Sequence, residues 1–170
     1  TRMSTADGKS RSMDAPEPGP ASQPEELVEQ RKVDHIRINI EKDVSFRNLT
    51  TGLEDFYLMH EALPELDFAS VDTHTTLLDK TLATPLIISS MTGGADEAHQ
   101  INLTLAEAAQ EIGMAMGLGS VRAAIADPGL AYTYQVREVA PDILLMANLG
   151  AVQLNYGYGP EECRKAVEIS

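Results

Sequence analysis

The chain has 170 residues and a formal net charge of −13, from 26 acidic and 13 basic side chains. A balance so acidic opposes nonspecific binding to nucleic acid, which needs extensive phosphate neutralisation. The single cysteine, Cys163, excludes an internal disulfide, and no apolar run approaches the ~20 residues of a spanning helix, so a cytoplasmic protein without a membrane partner is expected.

Residues 1–24 are polar, rich in Ser, Pro, Gly and Ala, and poor in large aliphatics. Such a segment buries too little apolar surface to offset its ordering entropy, which predicts a disordered tail. It also lacks the continuous apolar stretch of a signal peptide. Residues 25–34 suit a short helix. The charge changes sign here: residues 31–50 hold five basic side chains (Arg31, Lys32, Arg37, Lys42, Arg47) against three acidic, whereas residues 51–170 hold 5 against 17. Arg31, Lys32 and His35 fall within one helical turn, and a guanidinium fork, a mobile ammonium and an imidazole donor together suit anionic oxygens. The plainer reading is a solvated helix face.

Residues 46–80 read as a connecting region broken by Pro64, with a small hairpin over Phe68–Leu78. Pro85–Ile88 is apolar on both faces, as a buried parallel strand requires, and runs into Ser89, Ser90, Met91, Thr92 and the Gly93-Gly94 pair. The same grammar recurs when Ala115–Leu118 leads into Gly119, Ser120, Val121 and Arg122, and when Ile143–Met146 leads into Ala147 and Asn148. Ser90 to Ser120 is 30 residues and Ser120 to Asn148 is 28, each one strand-plus-helix unit. Between them, Ile101, Leu105, Ala108 and Ile112 recur at helical spacing, with Asp96 as cap and Gly113 as stop. A second helix is expected after Asp127 with Pro128 at its first position, and a third after Pro160, with Glu161 and Glu162 at its positive end. Three successive units of this kind predict an α/β protein of the (β/α)8 barrel class, whose sites lie at strand carboxyl ends. A complete barrel needs ~250 residues, so the chain reads as an incomplete piece of a longer protein.

Gly117-Leu118-Gly119 superficially matches a dinucleotide fingerprint, but Arg122 stands where the third glycine belongs. Ser90, Thr92, Ser120 and Asn148 have the size and polarity to hydrogen-bond the rim of a planar heterocycle; equally, such residues cap turns and helices. The histidines show no metal-ligand spacing, and no carboxylate pair marks a catalytic dyad.

The order RKVDHI (Arg31–Ile36), PLIISSMTGG (Pro85–Gly94), GLGSVRA (Gly117–Ala123) and LMANLGAVQL (Leu145–Leu154) closely resembles the type 2 isopentenyl-diphosphate Δ-isomerases over roughly residues 25–170. The resemblance implies a (β/α)8 barrel binding FMN, with residues 25–80 as a substrate-binding and barrel-capping segment and residues 81–170 as the first three βα units. It implies interconversion of isopentenyl and dimethylallyl diphosphate with reduced FMN as acid/base, Mg²⁺, and NADPH as reductant, in a homo-oligomer. Carried residue by residue, it assigns Arg31 and Lys32 to the diphosphate, with His35 beside them. Ser90, Met91, Thr92, Ser120 and Asn148 are assigned to FMN, and Ser120, Val121 and Arg122 to the substrate. Val121 departs from the glutamine or methionine common in that family. The family's Mg²⁺-binding glutamate, substrate glutamine and FMN-phosphate site match nothing in this sequence. Two other readings remain: another FMN barrel oxidising α-hydroxy acids, and a non-catalytic fragment.

Overall fold

The computed structural model describes residues 25–170, with side chains from Gln30 onward; the expected disordered tail lies outside the described residues. Helix α1 spans Glu25–Glu41, longer than the expected 25–34. Its extension is rich in β-branched isoleucine but is supported by pairs one turn apart. Gln30 donates to Asp34 at 3.3 Å, and Asp34 meets Arg37 at 3.2 Å. Beyond α1 the chain runs across the surface, and Phe46, Phe56, Tyr57, Leu58, Met59, Leu63 and Phe68 are each at least 78% exposed.

The hairpin lies later than expected. β1 (Thr75–Leu77) and β2 (Lys80–Leu82) pair antiparallel, with Thr75 opposite Leu82. Leu78 and Asp79 between them both take positive φ, 49° and 61°, the twist a two-residue hairpin turn requires. Phe68–Ser70 instead forms a 3₁₀ turn, because Asp67 Oδ1 accepts from the Ala69 amide at 3.0 Å.

β3 (Ile87–Ile88), β4 (Ala115–Ser120) and β5 (Leu145–Asn148) form a parallel sheet in chain order, without closing into a barrel. β4 is central and buried along Ala115–Gly119. β3 corrects the expectation of a buried strand: Leu86 is 57% and Ile87 45% exposed. Its pattern is that of a covered strand, but β3 is at the sheet edge and pairs only with β4. β5 begins two residues later than expected, after the buried Ile143.

Helix α2 (Asp96–Ile112) ends as expected at Gly113, whose φ of 77° is the left-handed stop. Its cap position is Ala95 rather than Asp96, which is the first helical residue and accepts from the Tyr132 hydroxyl. After β4 the chain forms α3 (Arg122–Ala126) and then a 3₁₀ segment, Pro128–Tyr134, not the expected second α-helix. Asp127 caps that segment through the Gly129 amide at 2.8 Å, and Gly129, Thr133 and two tyrosines give it low helix propensity. A further 3₁₀ turn, Ala151–Tyr156, follows β5. α4 (Pro160–Ile169) starts as expected, with Pro160 in its first turn and Glu162 Oε2 accepting from the Gly159 amide at 2.8 Å.

The core joins Ala106 and Ala109 of α2, Met116 and Leu118 of β4, Val121, Ala124, Tyr134, Val136, Ile143 and Ala166. Alanine dominates the helix contributions, so the helix backbones approach the sheet closely.

Candidate active site

The carboxyl ends of β3, β4 and β5 carry the candidate residues. Ser120 of β4 lies opposite Asn148 of β5, and the Val121 amide donates to the Asn148 carbonyl at 2.9 Å. The register shifts between Gly117 and Ser120, an irregularity that re-aims the strand's last side chains. The loop after β3 folds over β4: the Gly119 amide donates to the Thr92 carbonyl at 3.0 Å. The glycine spacing belongs to this contact. A Cβ on Gly117 would stand 2.6 Å from Ser90 Oγ, and one on Gly119 would stand 2.4 Å from the Thr92 carbonyl oxygen. Close backbone approach, rather than a dinucleotide fingerprint, explains Gly117-Leu118-Gly119.

Ser90 and Met91 are exposed; Thr92, Ser120 and Asn148 are half-buried. Among the described residues, the Ser90, Thr92 and Ser120 hydroxyls and the Asn148 carboxamide have no hydrogen-bond partner within the chain. Three strand ends thus present uncommitted donors and acceptors. That donor set fits the edge of a flavin ring, which offers carbonyl oxygens and ring nitrogens. Val121 differs from the others. Its side chain is fully buried in the core and its amide donates to the Asn148 carbonyl.

Two stretches of the sequence bring cations into electrostatic range of one another: Arg31 and Lys32 on α1, and Arg122 after β4. Lys32, half-buried on α1, has its ammonium pKa held below the ordinary 10.5, first by burial and then by the charges of Arg122 and Arg31. Arg122 itself is half-buried immediately after β4. Removing ammonium and guanidinium groups from water beside one another costs free energy that a bound anion offsets. His35 is exposed one turn further along α1. Among the described residues no cluster of three or more His, Cys, Asp or Glu side chains could hold a metal ion, and no helix is long and apolar enough to cross a membrane.

Sequence reading missed the residues behind the face. Tyr134 is fully buried, its hydroxyl donates to the Ser120 carbonyl at 2.7 Å, and its ring occupies the space a Cβ on Gly93 would need. Burial pushes its phenol up to about 12, partly offset by Arg122. Buried Asn102 donates to the Thr92 carbonyl at 3.2 Å and to the Thr133 carbonyl at 3.3 Å. The Gly93-Gly94 pair was the only sequence signal for a bulky neighbour.

A parallel α/β sheet with polar strand ends beside a cation has the form of a ligand-binding α/β protein, with its site at the strand carboxyl ends. Residues 25–127 match the family model described as FMN-dependent dehydrogenase, and the chain belongs to that family. Over 139 residues it is 61% identical to the isopentenyl-diphosphate delta-isomerase of Synechocystis sp., covering 82% of this chain and 40% of that relative. It is 51% identical over 142 residues to the protein of that name from Nostoc sp., covering 84% of this chain and 41% of the relative. The counterpart from Rickettsia africae is 51% identical over 139 residues, with 82% and 40% covered. The chain therefore spans about 40% of the length of these relatives.

Proposed function

We propose that the complete protein containing this chain is a type 2 isopentenyl-diphosphate Δ-isomerase built on a (β/α)8 barrel, using reduced FMN with Mg²⁺ and NADPH. The observation that carries this reading is the set of polar strand ends, Ser90 and Thr92, Ser120 and Asn148, with half-buried Arg122 following β4, in a chain 61% identical to a relative named isopentenyl-diphosphate delta-isomerase. A diphosphate is the anion that Arg31, Lys32 and Arg122 suit, because paired cations recognise several phosphate oxygens at once. The names of the relatives support the same substrate.

In this reading Ser90, Met91, Thr92, Ser120 and Asn148 border the flavin ring, while Arg31, Lys32 and Arg122 hold the diphosphate. Binding the anion relieves the mutual repulsion of the cations and fixes the isoprenyl tail toward the strand ends. Ser120, on the central strand and two residues before Arg122, contributes to both the flavin and the substrate contacts. The proton donor and acceptor for the double-bond shift are what reduced FMN supplies when bound. The chain's residues provide placement and electrostatics, consistent with the absence of a carboxylate dyad from the strand ends.

The test is to incubate the complete protein anaerobically in D₂O with FMN, NADPH, Mg²⁺ and isopentenyl diphosphate. Dimethylallyl diphosphate carrying solvent deuterium is expected, with NADPH consumed only to reduce the flavin. No isomerisation, together with flavin-dependent oxidation of an α-hydroxy acid, would replace this reading with the oxidoreductase.

A further inference from the structure

The loop after β3 is held from behind by three buried side chains that face neither solvent nor the strand-end donors. Asn102 on α2 uses its amide nitrogen twice, toward the Thr92 carbonyl at 3.2 Å and the Thr133 carbonyl at 3.3 Å. Thr133 Oγ1 accepts from the Gly94 amide at 3.0 Å and donates to the Leu130 carbonyl at 2.7 Å. Tyr134 donates to the Ser120 carbonyl at 2.7 Å, while its ring lies against Gly93 and Gly94. Asn102 is 2% exposed, and Thr133 and Tyr134 are fully buried.

These contacts tie two strand ends to one short segment. The β3 loop is gripped at Gly94 by Thr133 and β4 at Ser120 by Tyr134, neighbouring residues of the same 3₁₀ turn, while Asn102 of α2 bridges the Thr92 and Thr133 carbonyls. The Thr92 carbonyl receives both Gly119 and Asn102, so its peptide plane is fixed on two sides. Moving the Pro128–Tyr134 turn would therefore displace Gly94 and Ser120 together, and would pull on Thr92 through Asn102.

We infer that Asn102, Thr133 and Tyr134 are positioning residues that set the Ser90–Thr92 loop and Ser120 at one fixed spacing for the bound flavin and diphosphate. The inference rests on the proposed flavin and diphosphate reading. Thr133 is the most direct lever. Valine at this position keeps the shape but leaves the buried Gly94 amide unpaired, a condition that drives the backbone to move toward a new partner. Serine keeps the hydroxyl.

The experiment uses the complete protein with wild-type, Thr133→Val, Thr133→Ser and Tyr134→Phe sequences. FMN affinity, the visible spectrum of the bound flavin and KM for isopentenyl diphosphate are measured well below each melting temperature. Thr133→Val should raise the FMN dissociation constant about tenfold, equivalent to about 1.4 kcal/mol, and shift the flavin spectrum. Thr133→Ser should restore both. Tyr134→Phe should raise KM about fivefold and also alter the spectrum, a loss of the size one net hydrogen bond gives. It carries the test by itself if Thr133→Val does not fold. Variants that melt earlier but keep wild-type affinity, spectrum and KM would overturn the inference and leave the proposed function standing. A wild-type protein that binds no FMN would overturn both.

Discussion

Gly119→Ala should be among the most damaging single-methyl additions in the chain. The new Cβ would lie 2.4 Å from the Thr92 carbonyl oxygen and 2.5 Å from its carbon. Both are backbone atoms, held by Gly119 at 3.0 Å and by Asn102, so no flexible side chain can yield. Pushing the loop away costs about 1–3 kcal/mol as overpacking. Breaking the Gly119–Thr92 hydrogen bond costs about 1 kcal/mol more. The reduced freedom of alanine in the unfolded chain returns about 0.5–1 kcal/mol. The net expectation is a destabilisation of about 1–3.5 kcal/mol, read by denaturant unfolding of the complete protein. Gly150→Ala is the matched control. Its φ is −62° and the nearest atom, Val152 Cγ1, is 3.8 Å away, so it should be neutral or slightly stabilising. A Gly119→Ala protein within about 0.5 kcal/mol of wild type, the ordinary spread for a benign substitution, would refute the close-approach argument.

Three further outcomes follow from the same geometry. Tyr134 has a folded-state pKa of about 12 against an ordinary 10.0, so its contribution to stability is complete below pH 10 and is lost as pH rises toward 12. Alkaline titration of stability should therefore be shallower in Tyr134→Phe over that window, and identical slopes would contradict the burial argument. Lys32 begins to lose its proton below the ordinary lysine range, and a bound anion raises its pKa again, so anion binding takes up a proton. Pyrophosphate affinity relative to Lys32→Met at the same pH, a ratio in which the ligand's own ionisation cancels, should fall as pH rises through the lowered Lys32 pKa, and a ratio that does not change with pH would remove Lys32 from the site. Asn148→Ala should weaken FMN retention or shift the flavin spectrum, and a wild-type spectrum with wild-type affinity would make Asn148 structural only.

Much of the scaffold is readable from residue pattern, for identifiable reasons. β4 is apolar on both faces and is covered on both, so pattern and environment agree. α2 carries a strong helical period and a glycine stop, both local signals. β3 has the same apolar pattern as β4 but is exposed, because cover depends on neighbours that its own residues do not encode. The 3₁₀ turn at Pro128–Tyr134 is not distinguishable from an α-helix by its opening, because Asp-Pro starts both alike. At the site, residue types and strand-end positions are local and were legible. The approach of Lys32 to Arg122, and of Tyr134 to Gly93, is tertiary, and joins residues far apart in the chain.

In the proposed function, cations from α1 and from the segment after β4 bind one diphosphate beside the flavin. Its most direct test is the KM for isopentenyl diphosphate in the complete protein with Arg31→Ala, Arg122→Ala and both together, with FMN content measured in parallel. Charge-assisted hydrogen bonds of about 1.5–3 kcal/mol predict a rise of at least about tenfold for each single variant. The double variant should fall short of the product of the two, because removing one cation relieves repulsion on those remaining. FMN content should stay at the wild-type level throughout. Wild-type KM values in both single variants would contradict the account.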